Sequence, residues 1–431
     1  MTYSSAVAYL YRLQKHGIKL GLESMTALMV RLGMPQTRFR TFHIAGTNGK
    51  GSTAAMAAAV LQAAGYRVGL YTSPHLIEFR ERIRVNGEMI GEPQVAQLTE
   101  QLQTLCRPDL SLTFFEYTTA MAFQHFAEAG VDVAVLEVGL GGRFDATNVV
   151  RPLACAITTI SFDHQEYLGS TLSSIAFEKA GIIKQGVPVV LGRLNDEAWR
   201  TIERVAKERQ APVFRTDEDF HIEGKWPHQF SFSGLGVEYN GLTCALEGRH
   251  QLDNAACALA LLRAAAPQGI TVTAGAVREG LRTVNWAGRL EVVDRRPTIL
   301  LDGAHNPAGA MVLADFLMHS DRVPPSRPVV LVLGMMRDKD HRGFVEPLKD
   351  LVDDVVLTQA DLPRSATAQE LRVLLESVLP RPHVVPSLSD AIALARQLAT
   401  PDGLVCVTGS LMLVGEYKAW IRGCKLSPLR G

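Results

Sequence analysis

The stretch His43-Ile-Ala-Gly46-Thr47-Asn48-Gly49-Lys50-Gly51-Ser52-Thr53 decides how this chain folds. Apolar residues precede it, and an alanine-rich run typical of a helix follows over Ala54–Ala64. The order strand, glycine loop, lysine, hydroxyl and helix is typical of a phosphate-binding loop, because glycines let backbone N–H groups converge on an anion at the positive end of the new helix. The spacing departs from the usual P-loop, since only two residues separate the first two glycines and a third glycine follows the lysine. This pattern alone leaves open both a nucleotide site and a glycine-rich turn without a ligand.

Strand and helix patterns alternate around this stretch. Apolar runs of strand length are separated by segments long enough for helices, which predicts βαβ units and a parallel sheet. Val131–Val138 is almost continuously apolar, as expected of a strand that is buried on both faces. The predicted strands of this part are Phe42–Ala45, Tyr66–Tyr71, Val131–Val138, Ala154–Ile160 and Val187–Leu191.

The pattern changes twice towards the C-terminus. Phe220-His-Ile, Gln229-Phe-Ser-Phe and Leu242-Thr-Cys-Ala-Leu alternate with glycines, which predicts a small antiparallel sheet. After an interruption at Asn285–Arg289, short apolar runs and helical segments alternate again. We therefore predict an α/β protein with a large N-terminal P-loop domain (1–288), whose sheet is mostly parallel with a small antiparallel patch, and a smaller C-terminal Rossmann-like α/β domain (289–431). The predicted strands of the second domain are Thr298–Leu301, Val329–Leu333, Asp354–Leu357, His383–Val385 and Leu404–Val407.

Composition restricts the partners and the compartment. The 431 residues contain 44 Lys+Arg and 44 Asp+Glu, so bulk charge predicts neither a nucleic-acid partner nor an anionic membrane. The N-terminus lacks the pattern of a secretory signal, and no apolar run reaches the roughly 18 residues that would span a bilayer. The six cysteines form no C-x-x-C pair. We expect a soluble cytoplasmic protein.

Two polar residues follow predicted strands, where ligands bind in open parallel sheets. Glu137 ends a buried strand, and a carboxylate there is costly unless it is paired or binds a metal. The alternative is a carboxylate that is capped by the glycine loop after it. His164 follows the next strand, and the alternative for it is a hydrogen-bonded core histidine. Together with Lys50, both side chains indicate one shared site.

Four further residues have two interpretations each. Lys179 belongs to a Glu-Lys pair that faces water on most helices, yet apolar neighbours suggest burial and an anionic partner. Asp302 and His305 occupy a predicted strand-end loop that is either functional or a turn. Arg289 either reaches a phosphate across a cleft or is a solvated linker residue. The residues alone thus predict a two-domain enzyme that binds Mg²⁺-nucleotide, and they do not identify the acceptor.

The chain resembles the folylpolyglutamate synthase/dihydrofolate synthase family of the Mur ligase superfamily over nearly its whole length. The irregular glycine loop is that family's own form. The resemblance is carried by eight motifs in family order: Gly46–Ser52, Tyr71–His75, Phe115-Glu116, Leu136–Asn148, Asp163-His164, Glu178–Ile183, Gly288-Arg289 and Asp302–Pro307.

The resemblance implies a role for each of these positions. Lys50, Lys179 and His305 would be catalytic. Mg²⁺, in two sites, would be held by Ser73, Glu137, His164 and a carbamylated Lys179. ATP would contact Thr47, Asn48, Gly49, Lys50, Gly51, Ser52, Asn254, Arg289 and Asp302. The pterin would contact Leu22, Glu23, Thr113, Phe114, Phe115, Glu116, Phe144, Asp145 and Ala146.

The resemblance also implies a reaction. ATP would phosphorylate a substrate carboxylate, and the amine of L-glutamate would attack the resulting acyl phosphate. The acceptors would be dihydropteroate and the glutamate tail of reduced folates, and we expect both activities in one monomeric enzyme. The alternatives are a monofunctional folylpolyglutamate synthase and a muramyl-peptide ligase. The latter usually carries a further N-terminal domain, whereas only about 40 residues precede the glycine loop here.

Overall fold

The computed structural model describes residues 1–13, 17, 19, 21–106, 110–226, 228–320, 328–379 and 382–427. It confirms the predicted class: an α/β chain with a large, mostly parallel N-terminal sheet, a small antiparallel sheet and a second α/β unit. None of the helices among these residues has the length and hydropathy needed to cross a bilayer.

The N-terminal part is built on an eight-stranded sheet with the order β4-β3-β2-β5-β1-β6-β7-β8. The strands on either side of β1, which are β5 and β6, run parallel to it. Ile44 lies opposite Glu137 of β5, and Ala45 lies opposite Ile157 of β6. This register brings the residues that follow the three strands to one edge of the sheet. The strands are β1 (Arg40–Ala45), β2 (Val68–Tyr71), β3 (Ile83–Val85), β4 (Glu88–Met89), β5 (Val133–Glu137), β6 (Ala154–Ile157), β7 (Val189–Leu191) and β8 (Val213–Arg215).

In the described residues of this part, ten α-helices accompany the sheet. The alanine-rich helix after β1 is buried on nearly every side, and its small side chains allow helices to pack closely around it. The helices of this part are α1 (Tyr3–Leu13), α2 (Glu23–Arg31), α3 (Lys50–Ala63), α4 (Glu92–Leu105), α5 (Phe114–Glu128), α6 (Gln165–Leu168), α7 (Leu172–Ala180), α8 (Asp196–Glu208), α9 (His250–Ala264) and α10 (Ala274–Thr283).

The small antiparallel sheet contains β9 (Phe220–Gly224), β10 (Phe230–Gly234) and β11 (Val237–Leu242), in the order β11-β10-β9. The predicted third strand, which began at Leu242, is wrong, because β11 ends at that residue. Leu235 and Gly236 both have positive φ, which suits a two-residue hairpin turn and starts the next strand at once.

The C-terminal part has a six-stranded sheet in the order β12-β13-β17-β14-β15-β16. Among the described strands of this sheet, only β12 is antiparallel to its neighbour. The strands are β12 (Glu291–Arg295), β13 (Thr298–Leu301), β14 (Val329–Leu333), β15 (Asp354–Leu357), β16 (Pro382–Val384) and β17 (Leu404–Thr408). The helices are α11 (Pro307–His319), α12 (His341–Val345), α13 (Ala368–Leu375), α14 (Leu388–Ala399) and α15 (Leu411–Arg422).

Four strands have no counterpart among the predicted ones: β3, β4, β8 and β12. Three of them have only two or three residues, and β12 is polar enough to be taken for linker. All four lie at or next to a sheet edge, where apolar periodicity is weak. The domain boundary at 288/289 stays a prediction; it falls between α10 and β12.

Candidate active site

The glycine loop connects β1 to the N-terminus of α3. Gly49 has φ of 87°, and a Cβ there would lie 2.3 Å from the Asn254 side chain, so glycine is required. Gly51 is the residue that breaks the usual P-loop spacing, and it lies in α3 against Trp286. A Cβ on Gly51 would lie 2.9 Å from the indole nitrogen of Trp286. The irregular spacing therefore has a packing cause.

Two lysines converge on this loop. Lys50 Nζ donates to the carbonyl oxygens of Gly46 and Thr47, both at 3.0 Å, and Lys179 Nζ donates to Gly46 O at 2.9 Å. Burial lowers the pKa of Lys50, and burial together with the charge of Lys50 lowers the pKa of Lys179 to about 7. Only 5% of Lys179 is exposed. Two cations that share a neutral carbonyl make a region that favours an anion.

Glu137 lies at the end of β5 and is 5% exposed. Its Oε2 accepts from Ser73 N at 3.1 Å. Burial raises the pKa of this carboxyl, and the charge of Lys50 opposes that effect. The glycine loop after β5 does not cap it: the amides of Gly139 and Leu140 donate to Asp145 instead, both at 3.0 Å.

Asp145 has a different environment from the one expected of a pterin ligand. One of its oxygens binds the two loop amides, and the other accepts from Thr147, through its amide at 3.0 Å and through a short bond from its hydroxyl. Thr147 Oγ1 also lies 2.7 Å from His43 Nε2, and burial lowers the pKa of His43 to about 3. The side chain of Asp145 thus holds the loop that shapes the cleft.

Asp163 joins the two parts of the chain. Its carboxylate lies 2.7 Å from Lys339 Nζ, 3.5 Å from His305 Nε2 and 3.0 Å from Asn306 Nδ2. Burial opposes ionisation, but the hydrogen bond from His305 and the charges of His164, His305 and Lys339 hold the pKa of this carboxyl well below its usual range.

A second contact joins the glycine loop to the C-terminal part. The side-chain amides of Asn48 and Asn306 donate to each other, both at 3.1 Å. Asn306 also caps α11, since its Oδ1 accepts from Gly309 N at 2.9 Å. The loop before α11 therefore has a fixed position relative to the glycine loop.

Asp163→Asn is expected to weaken this connection. The variant loses a buried ion pair with Lys339, which typically costs about 3–5 kcal/mol, and leaves that ammonium beside the more exposed carboxylate of Asp338, at 3.5 Å. We expect a wider distribution of domain separations, measured by small-angle scattering, and a faster ATP hydrolysis that is not coupled to ligation. Asp294→Asn, in an ion pair with Arg396 away from both clefts, serves as control. Unchanged scattering and unchanged coupling would contradict the assigned role.

Asp302 and Arg289 lie across the cleft from the glycine loop. The oxygens of Asp302 accept from Ala304 N at 2.9 Å and Leu290 N at 3.0 Å, which ties the segment that carries Arg289 to the end of β13. Burial raises the pKa of Asp302, and Arg289 opposes the effect.

A cleft of about 170 Å³ contains every residue predicted for ATP, metal and catalysis. Its predicted lining residues are Thr47, Asn48, Gly49, Lys50, Gly51, Ser52, Ser73, Glu137, His164, Lys179, Asn254, Arg289, Asp302 and His305. His164 is the least enclosed of its polar groups, with 39% of its side chain exposed.

A second cleft, of about 680 Å³, adjoins the first. Ser73, His164 and His305 line both. Thr113 and Glu116 form a capping box at the start of α5. The predicted pterin residues that line the second cleft are Thr113, Phe114, Phe115, Glu116, Phe144, Asp145 and Ala146.

Leu22 and Glu23 are not among the residues that line this cleft. Glu23 begins α2 and Leu22 precedes it, and the helix buries Met25, Leu28 and Met29 in the core. From this part of the chain, the residues that line the cleft are Gly17, Lys19 and Gly21.

The sequence interpretation did not assign roles to Asp163, Lys339 and Asn306. Asp163 and Asn306 stood within quoted motifs, next to residues that were assigned. Lys339 follows β14 in the charged run Arg337–Asp340, so the strand-end rule applied to the second sheet would have identified it.

The fold and the two adjoining clefts are those of a Mur ligase-type enzyme. Residues 44–262 match the Mur ligase middle domain, and residues 288–411 match the glutamate ligase domain of Mur ligases. A dihydrofolate synthase/folylpolyglutamate synthase from Bacillus subtilis is 37% identical over 428 residues, which cover 96% of this chain and 98% of the relative. The chain belongs to the dihydrofolate synthase/folylpolyglutamate synthase family.

Solved structures agree with this assignment. Escherichia coli FolC in complex with DHPP and ADP is 36% identical, with a TM-score of 0.90 over 98% of each chain. A bifunctional folylpolyglutamate synthase/dihydrofolate synthase with Mn, AMPPNP and L-glutamate bound is 35% identical, with a TM-score of 0.87 and coverage of 98% of each chain. The chain is thus an ATP-dependent ligase of this family.

Proposed function

We propose that the enzyme joins L-glutamate to dihydropteroate and to the glutamate tail of reduced folates. The observation that carries this proposal is the junction of the two clefts at Ser73, His164 and His305. A phosphate loop opens into one cleft, and aromatic side chains line the other. A nucleotide and a flat acceptor bound there would meet with the γ-phosphate next to the acceptor carboxylate.

The chemistry has two steps. An oxygen of the acceptor carboxylate attacks the γ-phosphorus of ATP, ADP leaves, and an acyl phosphate forms. The amine of L-glutamate then attacks the acyl carbon, phosphate leaves, and the nitrogen loses a proton. Lys50 offsets charge on the transferred group, and His305 lies where the clefts meet. The contact of Asp163 with Lys339 keeps water from the intermediate by holding the two parts together.

The residues proposed for metal fit Mg²⁺ bound together with a nucleotide. No group of three or more His, Cys, Asp or Glu side chains in the described part of the chain forms a metal site by itself. Mg²⁺ commonly takes one or two carboxylates and completes its shell with phosphates and water. Glu137, Ser73 and His164 would hold it, and the ion would neutralise charge on the phosphates. Two such ions, as in the sequence prediction, require a further anion.

Carbamylation of Lys179 would provide that anion. A buried amine with a pKa of about 7 is about half unprotonated at neutral pH, and only the unprotonated amine adds CO₂. The product is a carbamate anion, and one proton is released. The modification would replace a costly buried cation by a group that can bind metal.

The monomeric state and the cytoplasmic location of the protein stay predictions from the sequence.

The test is ADP release with ATP, Mg²⁺ and L-glutamate, with dihydropteroate or tetrahydrofolate as acceptor. Turnover with both acceptors supports the bifunctional enzyme, and turnover with tetrahydrofolate alone supports the monofunctional alternative. Silence with both, and turnover with a UDP-linked muramyl acceptor, would favour the muramyl-peptide ligase.

A further inference from the structure

His43 is a polar residue within a buried strand. It belongs to β1, three residues before Gly46, and its side chain is fully buried. Its neighbours on the adjacent strands are the apolar Leu136 of β5 and Cys155 of β6. An imidazole in such a place costs free energy unless its nitrogens are paired, whereas an apolar side chain carries no such cost. The stability of the sheet therefore gives no reason for a histidine here.

One nitrogen of His43 is paired, and its partner leads to Asp145. His43 Nε2 lies 2.7 Å from Thr147 Oγ1, and the Thr147 hydroxyl donates to Asp145 Oδ1 in a short hydrogen bond. A hydroxyl has one proton, so Thr147 Oγ1 accepts from His43, and the proton of the neutral imidazole is on Nε2. Nδ1 then carries only a lone pair, and among the described residues it has no hydrogen-bond partner. The three side chains thus form a chain of hydrogen bonds that runs in one direction, from β1 to Asp145.

The far end of this chain holds the loop that follows β5. Asp145 Oδ2 accepts from the amides of Gly139 and Leu140, both at 3.0 Å. Gly139, Leu140 and Gly141 line both clefts. The loop also lies against the aromatic wall of the second cleft, because a Cβ on Gly139 would lie 2.5 Å from the ring of Phe115. A movement of the loop would therefore change the space for the acceptor where the clefts meet.

We propose that His43 and Thr147 are positioning residues for the acceptor. Through Asp145 they fix the loop of residues 139–141 at the junction of the two clefts, and neither of them lines a cleft itself. This inference rests on the proposed function. Phosphoryl transfer requires the acceptor carboxylate to lie in line with the γ-phosphorus, so a displaced loop lowers the rate even when the acceptor still binds.

Thr147→Val tests the chain with little change in shape. Valine lacks the hydroxyl, so Asp145 loses one donor and His43 loses its acceptor. We expect kcat/KM for the acceptor, dihydropteroate or tetrahydrofolate, to fall about tenfold, with the KM for ATP unchanged. Thr147→Ser keeps the hydroxyl and should retain most of the activity. The matched control is Thr99→Val, because Thr99 is also fully buried, its hydroxyl donates to Val95 O at 2.7 Å, and it lines neither cleft.

His43→Leu tests the start of the chain independently. It leaves the bond between Thr147 and Asp145 in place and leaves no buried donor unpaired, so the melting temperature should stay level or rise. We expect kcat/KM for the acceptor to fall about threefold to tenfold. His43→Gln should restore it, because the amide of glutamine can donate from nearly the same place. In the double variant His43→Leu/Thr147→Val, the loss should equal that of Thr147→Val alone, since both residues act through one chain.

The outcomes separate this inference from the function itself. An active wild type whose Thr147→Val and His43→Leu variants keep their kcat/KM for the acceptor overturns the inference alone. A loss that Thr147→Ser and His43→Gln fail to restore, or losses that multiply in the double variant, indicate a packing role and also overturn it. Where Thr147→Val does not fold, the two His43 variants decide. A wild type that is silent with both acceptors overturns the proposed function and this inference with it.

Discussion

Glu137→Gln is expected to lower kcat by about a hundredfold to a thousandfold, in the range seen when one preorganised electrostatic contact is removed. Glutamine keeps the shape of the side chain, and its amide oxygen still accepts from Ser73 N. What disappears is the negative charge at the end of β5, beside Lys50. The proposed metal thereby loses its one buried carboxylate ligand. The measurement is ADP release at saturating substrates.

The fold is expected to tolerate this change. Burial raises the pKa of Glu137, so the folded protein gains nothing from ionising this carboxyl, and a neutral amide removes the cost of the buried charge. The melting temperature should therefore stay level or rise. Glu223→Gln, at an exposed position of β9 outside both clefts, is the matched control. Near-normal turnover of Glu137→Gln would refute its metal role.

Lys179→Ala is expected to lower kcat by a similar factor, about a hundredfold to a thousandfold. The variant lacks the amine that would become a carbamate, and with it the anion proposed for the second metal. Short carboxylic acids such as acetate should restore part of the activity, because they place a carboxylate in the space left by the side chain. The measurement is the rate as a function of acetate concentration.

The same residue predicts a pH dependence of the wild type. Its pKa is lowered to about 7, so the amine becomes protonated as the pH falls through that value and no longer adds CO₂. We expect bicarbonate to increase kcat of CO₂-depleted enzyme above pH 7 and progressively less below it. Electron density provides a direct check. An unmodified ammonium more than about 4 Å from any carboxylate or metal would refute the modification.

How far the sequence predicts this molecule depends on burial. Strands such as β5, apolar on both faces, leave a clear pattern, and so do the glycine loop and the residue that ends each strand. The edge strands β4 and β12 leave little, since a short or half-exposed strand has no distinctive periodicity. The third antiparallel strand was misplaced because a two-residue turn at Leu235 and Gly236 carries no proline or asparagine signal.

The site was predictable where it depends on position along a strand, and not where it depends on two distant segments. Glu137 and Lys179 could be found from strand and helix patterns. The pairing of Asp163 with Lys339 could not, because it requires the relative placement of two sheets. Asp145 shows a further limit: its motif identifies the residue, but only its hydrogen bonds show that its carboxylate holds a loop.

The reciprocal pair of Asn48 and Asn306 has a thermodynamic consequence. One amide belongs to the loop that would surround phosphate, and the other caps α11, the helix that follows β13. Occupancy of the nucleotide cleft and the angle between the domains therefore form one linked equilibrium. Linkage is reciprocal. If bound nucleotide raises the affinity for the acceptor by a certain factor, bound acceptor must raise the affinity for nucleotide by the same factor. Calorimetric titrations of each ligand, with and without the other, would give that factor, and loss of either amide should bring it towards one.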